Sequence, residues 1–382
     1  MKVVNIIPTY NERENIRRML KALIEIAEKN PQYEFAHLVV DDNSPDGTGE
    51  VVKEYAKKHK NIKLITGPKK GLGYALIRGY KYAMEKMGAD VIIPNDADFQ
   101  WDPYKIPELL AKIEEGYDVV VASRHIKGGG IEKWSLYRKL NHWLANDIFA
   151  GLIAGVSEVK DHSGNFKAIR AANLRQVPLD KIKITGFGFQ NYILYELSKT
   201  GAKFTEVPTI FRERKAGKSK LIFRDAIEWM KSCFIIRLER SQQFIKFAIV
   251  GFIGYLVNAF GLELFYRFGM APGRATAVAT ELAIISNFTL NNIWTFATKK
   301  IISWKKIPFK FLQFNLTSLG ALIIQTVVVG FGTSILGDQW RQILLILAIG
   351  FLVLPYNFFM YTTFIWKTRK SKLFSWLQKR IS

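Results

Sequence analysis

Four apolar stretches of membrane-spanning length in the last third of the chain constrain its fold more than any other feature. Residues 247–262 carry no charge, and the apolar pattern around them extends over 244–266, bounded by Arg240 and Arg267. Further stretches occupy 275–296, with Glu281 as its one acid, 309–335, uncharged after Lys310, and 342–366, uncharged throughout. Each reaches about 20 residues, enough to cross roughly 30 Å of hydrocarbon as a helix. Trp294, Trp304, Trp340 and Trp366 fall at the expected ends, where amphipathic rings favour the interface.

Lys and Arg number 55 against 33 Asp and Glu, a net charge of +22. So basic a chain would suit a nucleic acid, but its cations flank apolar spans, so the lipid bilayer is the expected partner and no nucleic acid is. The connection between the second and third stretches holds Lys299, Lys300, Lys305, Lys306 and Lys310, and the tail holds Lys367, Arg369, Lys370, Lys372, Lys379 and Arg380. The other two connections contain or abut only Arg267, Arg274 and Arg341. This asymmetry predicts a multi-pass integral membrane protein with its first half and C-terminus on the cytoplasmic side. The opening MKVVNIIPTYNER has no signal-peptide apolar core, in keeping with that orientation. The lone Cys233 excludes an internal disulfide, and no Cys/His cluster has zinc spacing.

The first half reads as α/β. Short β-branched runs at 2–9, 35–41, 62–66, 90–95 and 118–123 alternate with stretches of helical periodicity, such as Ile16, Leu20, Leu23 and Ile24. That alternation predicts a mainly parallel, doubly wound sheet with helices on both faces and a ligand crevice at the carboxyl ends of the strands. The polar groups directly after the strands, at 9–12, 41–43, 95–98 and 123–124, would then share one crevice. Gly71-Leu72-Gly73 has Leu76 where a dinucleotide fingerprint needs its third glycine, so 67–71 reads as a turn into a helix. Asp96 and Asp98 at a strand end offer hard oxygen ligands suited to Mg²⁺ or Mn²⁺ shared with substrate phosphates; a solvated turn is the alternative. Asp41 and Asp42 suit acceptance from a base or ribose, or else an Asx-type turn with 43–47, Asp42 being the stronger candidate.

Taken together, PTYNERENI (8–16), DDNSPDGT (41–48), GLGYALIRGY (71–80), DADFQ (96–100), VASR (121–124) and VPTIFRERKAGKSKL (207–221) resemble the polyprenol-phosphate (dolichyl-phosphate) mannose synthases. These are family-2 inverting glycosyltransferases, and the four-stretch region is similar to a GtrA-like membrane domain. The resemblance implies an α/β GT-A (Rossmann-like) catalytic domain over 1–220, an amphipathic interfacial helix or linker over 221–240, an all-α four-helix transmembrane domain over 241–370 and a basic tail over 371–382. It implies GDP-mannose as donor and a polyprenyl or dolichyl phosphate as acceptor. By the same resemblance Pro8, Tyr10 and Glu12 occupy the first nucleotide loop and Val40 and Asp42 the second. Asp96, Ala97 and Asp98 lie beneath the ribose and diphosphate, with Asp98 and Gln100 as metal ligands and Asp96 sharing that duty. Arg124, Arg214 and Lys220 match cationic positions around the two phosphates.

The absence of a QxxRW motif favours single transfer over polymerisation. A UDP-glucose-dependent polyprenyl-phosphate glucosyltransferase and a lipid-linked sugar transporter with a regulatory soluble domain are the competing readings. Two amphipathic stretches suit either a membrane surface or packing on the soluble core: one with Phe223, Ile227, Met230 and Phe234 on a face, whose place beside the first span favours the surface, the other with Tyr137, Leu140, Leu144 and Ile148, which reads rather as a core-packing helix. Gly128-Gly129-Gly130 reads as a loop that could open for the acceptor or as a plain surface loop, and Asp161-His162-Ser163-Gly164 as a structural or sugar-contacting turn.

Overall fold

A computed structural model describes residues 1–132, 135–184, 186–212 and 223–368. The chain divides into two compact units, Met1–Glu239 and Arg240–Ser382.

In the first unit the β-branched runs become β1 (Lys2–Thr9), β2 (Glu34–Asp41), β3 (Ile62–Thr66), β4 (Val91–Pro94) and β5 (Val119–Ser123). Between them lie α1 (Arg13–Lys29), α2 (Thr48–Lys58), α3 (Leu72–Glu85) and α4 (Ile106–Glu114). On α1, residues Ile16, Met19, Leu20, Leu23 and Ile26 are buried, the i, i+3, i+4 stripe of a helix laid on a sheet. The chain continues through β6 (Gly130–Ile131), α5 (Leu136–Trp143) with a π-helical extension over Leu144–Ile153, β7 (Lys167–Arg170), α6 (Ala171–Leu174), α7 (Phe189–Lys199), β8 (Phe204–Pro208) and β9 (Ile210–Phe211).

Seven strands form one sheet in the order β3-β2-β1-β4-β7-β5-β8. All pairs are parallel except those of β7, which runs antiparallel between β4 and β5. The sequence hides β7 because KAIR is four residues long and half basic, whereas fully buried strands ordinarily read as apolar runs. Each face of the sheet carries its own apolar core, one joining Ile6, Leu38 and Val40 to Leu76 and Tyr80, the other joining Val3, Ile7 and Val39 to the α1 stripe. On α3, a Cβ at Gly79 would lie 2.8 Å from Ile6 and 3.0 Å from Val40, so only glycine lets this helix approach β1 and β2 so closely.

Helix α8 (Phe223–Arg267) contains both the stretch expected as a linker over 221–240 and the first apolar stretch. No proline or glycine interrupts 223–250. Its Trp229, Ser232, Cys233 and Ile236 are buried in the first unit, with the Trp229 indole N–H donating to the Ala145 carbonyl at 2.9 Å. Of the expected apolar face, Ile227 and Met230 are half-buried, while Phe234 is turned outward at 52% exposure. It meets Phe149 edge to face, and Leu136, Leu140, Trp143 and Leu152 are also exposed. The side chains of Tyr137 and Phe223 lie outside the described residues.

The second unit continues with α9 (Pro272–Leu290), α10 (Ile307–Leu336), α11 (Arg341–Ala348) and α12 (Leu354–Met360), with π-helical turns at Asn291–Thr295, Ile349–Val353 and Tyr361–Ile365. Among the described residues, Asp225–Arg267, Ile307–Leu336 and Asp338–Ile365 are long and apolar enough to cross a membrane. The second of the four expected stretches is helical but more polar, carrying Arg274, Glu281, Ser286 and Asn287. Trp366, expected at a lipid interface, is instead buried: it stacks on Phe296 at 4.4 Å between ring centres and donates its indole N–H to Asn292 at 3.0 Å. A partner for the indole N–H inside an aromatic cluster removes the reason for that ring to seek the interface.

Candidate active site

The loops after β1 and β2 are sewn together. Thr9 and Ser44 hydroxyls donate to Asp41 at 2.8 and 2.6 Å, and the Ser44 backbone N–H donates to the same carboxylate at 2.8 Å. The Asn11 N–H donates to Ser44 Oγ, the Glu12 N–H to Thr48 Oγ1 and the Arg13 N–H to Asp46. Asp41 is thus the turn former, and its neighbour Asp42 takes a different partner, accepting from Arg78 of α3 at 2.7 Å. Burial raises the Asp42 carboxyl, and the Arg78 pairing opposes this only in part. Arg78 was not singled out from the sequence, where it is one basic residue on an amphipathic helix.

Pro8, next to last in β1, lies beside Val40 of β2, and Val40 is fully buried. Glu12 accepts from the Asn15 amide at 2.7 Å. The Tyr10 ring, expected in the first nucleotide loop, carries Lys69 over its face at 3.6 Å from the centre. Lys69 lies on the turn into α3, which begins at Leu72 as the sequence implied.

Asp96, Ala97, Asp98 and Gln100 follow β4, with Ala97, Asp98 and Gln100 buried. Phe99 between them has φ 59°, a left-handed conformation uncommon for a bulky residue. Asn11 and Asn43, on the other two loops, are left-handed as well. Such backbone persists where the surroundings over-determine it, and here it turns the chain between Asp98 and Gln100. The Gln100 N–H donates to Asp98 at 3.0 Å, and its side-chain Nε2 lies 3.4 Å from the Arg212 carbonyl. Beside them Asn95, 1% exposed, keeps both amide atoms without a hydrogen bond. Two carboxylates and one amide oxygen from a single turn form a hard donor set that fits a divalent cation with open positions for phosphate oxygens. Among the described residues there is no cluster of three or more His, Cys, Asp or Glu that could hold a metal.

Asp96 accepts from the Asn165 amide at 3.0 Å, Asn165 accepts from Gln190 at 2.9 Å, and Gln190 accepts from the Lys167 ammonium at 2.6 Å. Burial pulls the Lys167 ammonium down to about 7 against the opposing pull of Asp161 and Asp96. None of these three partners stood out in the sequence, because a lysine in a short polar strand reads as exposed.

Arg124, expected at a phosphate, is 7% exposed and grips Asp161 with Nε and Nη2, both at 2.7 Å. It also donates to Ser163 at 2.6 Å and lies 4.9 Å from the Trp101 ring centre. Burial alone would raise the Asp161 carboxyl, but the guanidinium and its hydrogen bonds outweigh it and hold it far below the usual carboxylate range. Arg124 therefore reaches the site as half of a neutralised pair. Its loop does not hang free either: Gly130–Ile131 pairs with Ile210–Phe211, and a Cβ at Gly129 would sit 2.5 Å from the Ser123 carbonyl. His162 is structural, held by Val156 and Asn146. Arg214 and Lys220 lie outside the described residues.

Residues 5–177 match the glycosyl transferase family 2 model, and residues 246–366 match the GtrA/DPMS transmembrane domain. The chain is 38% identical over 335 residues to a dolichol-phosphate mannosyltransferase from Pyrococcus furiosus, which covers 86% of this chain and 90% of that protein. It is 35% identical over 222 residues to an undecaprenyl-phosphate mannosyltransferase from Micrococcus luteus, over 58% of this chain and 88% of the other. Among solved structures, mannosyl-3-phosphoglycerate synthase from Rubrobacter xylanophilus matches with a TM-score of 0.45 at 20% identity, over 64% of this chain and 74% of that one.

Proposed function

The chain belongs to the polyprenol-phosphate mannosyltransferases, and from that premise we propose that it takes mannose from GDP-mannose and delivers it to a polyprenyl phosphate with inversion at the anomeric carbon. The observation that carries the reading is that Asp42, Asp96, Asp98 and Gln100 lie on the loops at the carboxyl ends of β2 and β4, the two strands that flank β1 in parallel. Ligands of such sheets bind there. Relatives that are mannosyltransferases do not favour glucosyl transfer from UDP-glucose or a pure transporter.

Asp42 would accept from base or ribose donors, fixed in place by Arg78, while Tyr10 and Lys69 present a ring and a cation on the adjoining loop. Asp96, Asp98 and Gln100 would hold Mg²⁺ or Mn²⁺. A divalent cation held there would supply charge neutralisation for the departing donor diphosphate. The acceptor phosphate is already anionic at neutral pH, so the residues around it need to orient it and balance its charge rather than remove a proton. Arg214 and Lys220 supply net positive charge for that task, and Arg124, already paired, supplies a hydrogen-bond donor. The outward faces around Phe234 and Leu140 would lie at the lipid surface from which the acceptor comes. The Lys-rich connection at 299–310 supports a cytoplasmic catalytic unit.

The test is transfer of labelled sugar from GDP-mannose, and separately UDP-glucose, to a polyprenyl phosphate in detergent, with and without Mg²⁺ or Mn²⁺. Metal-dependent mannolipid from GDP-mannose, abolished by Asp98→Ala, is the expected result. Glucolipid alone, or turnover by Asp98→Ala at the wild-type rate, would overturn the donor or the metal assignment respectively.

A further inference from the structure

Lys167 is a fully buried cation on β7, and its ammonium points at Gln190 in the first turn of α7. A helix N-terminus carries partial positive charge, so this is an unfavourable place for a lysine, and an apolar residue of similar size would cost less. What the lysine contributes is direction. Lys167 donates to the Gln190 oxygen, an orientation its protonated form enforces because an ammonium cannot accept, and the Gln190 amide nitrogen then faces Asn165. Asn165 must then accept with its oxygen and give its own amide nitrogen to Asp96. A carboxylate only accepts, so the chain of three hydrogen bonds, 2.6, 2.9 and 3.0 Å long, is polar from end to end and has one consistent orientation. Gln190 is fully buried and Asn165 is 3% exposed, so neither amide has bulk water as an alternative partner.

We infer that Lys167, Gln190 and Asn165 are positioning residues that hold the Asp96 carboxylate in the orientation needed for the divalent cation and donor diphosphate. The inference rests on the proposed metal site at Asp96, Asp98 and Gln100. Without the lysine both amides are free to flip, and a flipped Asn165 sets its carbonyl oxygen against the carboxylate. Partners behind a metal ligand typically contribute about 10- to 100-fold in metal affinity.

The experiment measures Mn²⁺ binding to the full-length protein in detergent with saturating GDP, by the electron paramagnetic resonance signal of free Mn²⁺, alongside each variant's thermal midpoint. Lys167→Met removes the donor. Gln190→Glu keeps the shape and the contact to Lys167 but cannot donate to Asn165, so it reports on polarity even if the first variant folds poorly. Both are expected to bind Mn²⁺ about 10- to 100-fold more weakly than wild type. Both are also expected to recover most of kcat at saturating Mn²⁺, a split that general loss of structure would not produce. Wild-type Mn²⁺ affinity in folded Gln190→Glu, with binding lost in Asp98→Ala, would overturn the positioning role and leave the metal site standing. Wild-type Mn²⁺ affinity in Asp98→Ala would overturn the metal site, and the positioning role with it.

Discussion

Arg124 and Asp161 face each other through two parallel hydrogen bonds of 2.7 Å, and the Arg124 backbone N–H adds a third to the same carboxylate at 3.0 Å. Both side chains are almost wholly out of water. Removing one partner strands the other, which costs about 3–5 kcal/mol. Asp161→Ala is therefore expected to lower the unfolding free energy of the first unit by that amount, read from denaturant unfolding followed through tryptophan fluorescence. A change under about 1 kcal/mol would mean that Arg124 finds another acceptor and that its charge is not committed to Asp161.

Gly79 is the contact point between α3 and the two strands that carry the nucleotide loops. The methyl of Gly79→Ala has no room beside Ile6 and Val40, so the variant is expected to lose about 1–3 kcal/mol by overpacking. Because α3 also carries Arg78, donor KM should rise together with the loss of stability. An unchanged melting temperature would show that the helix can shift without cost.

Arg78→Met leaves Asp42 buried without its cation. The carboxyl, already raised by burial, is expected to rise further, so donor binding weakens most below neutral pH. Competition by GDP across pH 5 to 8 reads this out: the pH dependence should steepen in the variant. Parallel wild-type and variant profiles would place Asp42 outside the nucleotide site.

His37 sits in the core of β2 and is pushed down to about 3 by burial, with His59 adding to the effect. Its folded value lies below the unfolded one near 6.5, so the unfolded chain binds the extra proton and stability falls as pH drops from about 6.5 toward 3. Between pH 7 and pH 5 the loss is on the order of 2 kcal/mol. His37→Gln keeps an acceptor for the Asn5 amide and removes the titration. Its melting temperature should fall less between pH 7 and pH 5 than that of wild type, and an equal fall would assign the acid sensitivity to other groups.

The linear chain by itself determined the apolar helices, three of which are long enough to cross a membrane, the five leading strands and the loops that bear Tyr10, Asp42, Asp96 and Asp98. Those features rest on local periodicity and on residues adjacent in sequence. Tertiary structure decided who pairs with whom. It committed Arg124 to Asp161, buried Trp366 among aromatic rings, turned Trp229 and Cys233 of α8 inward rather than the Phe234 face, and set Lys167 behind Asp96 through two amides. The hydrogen bonds behind these pairings join residues 23 to 84 positions apart. A cation's role depends on whether its countercharge is a neighbouring carboxylate or an incoming phosphate, and residue type at one position carries no record of that choice. Burial makes it, because a charge or amide removed from water must take whichever partner the packed sheet places within hydrogen-bond reach.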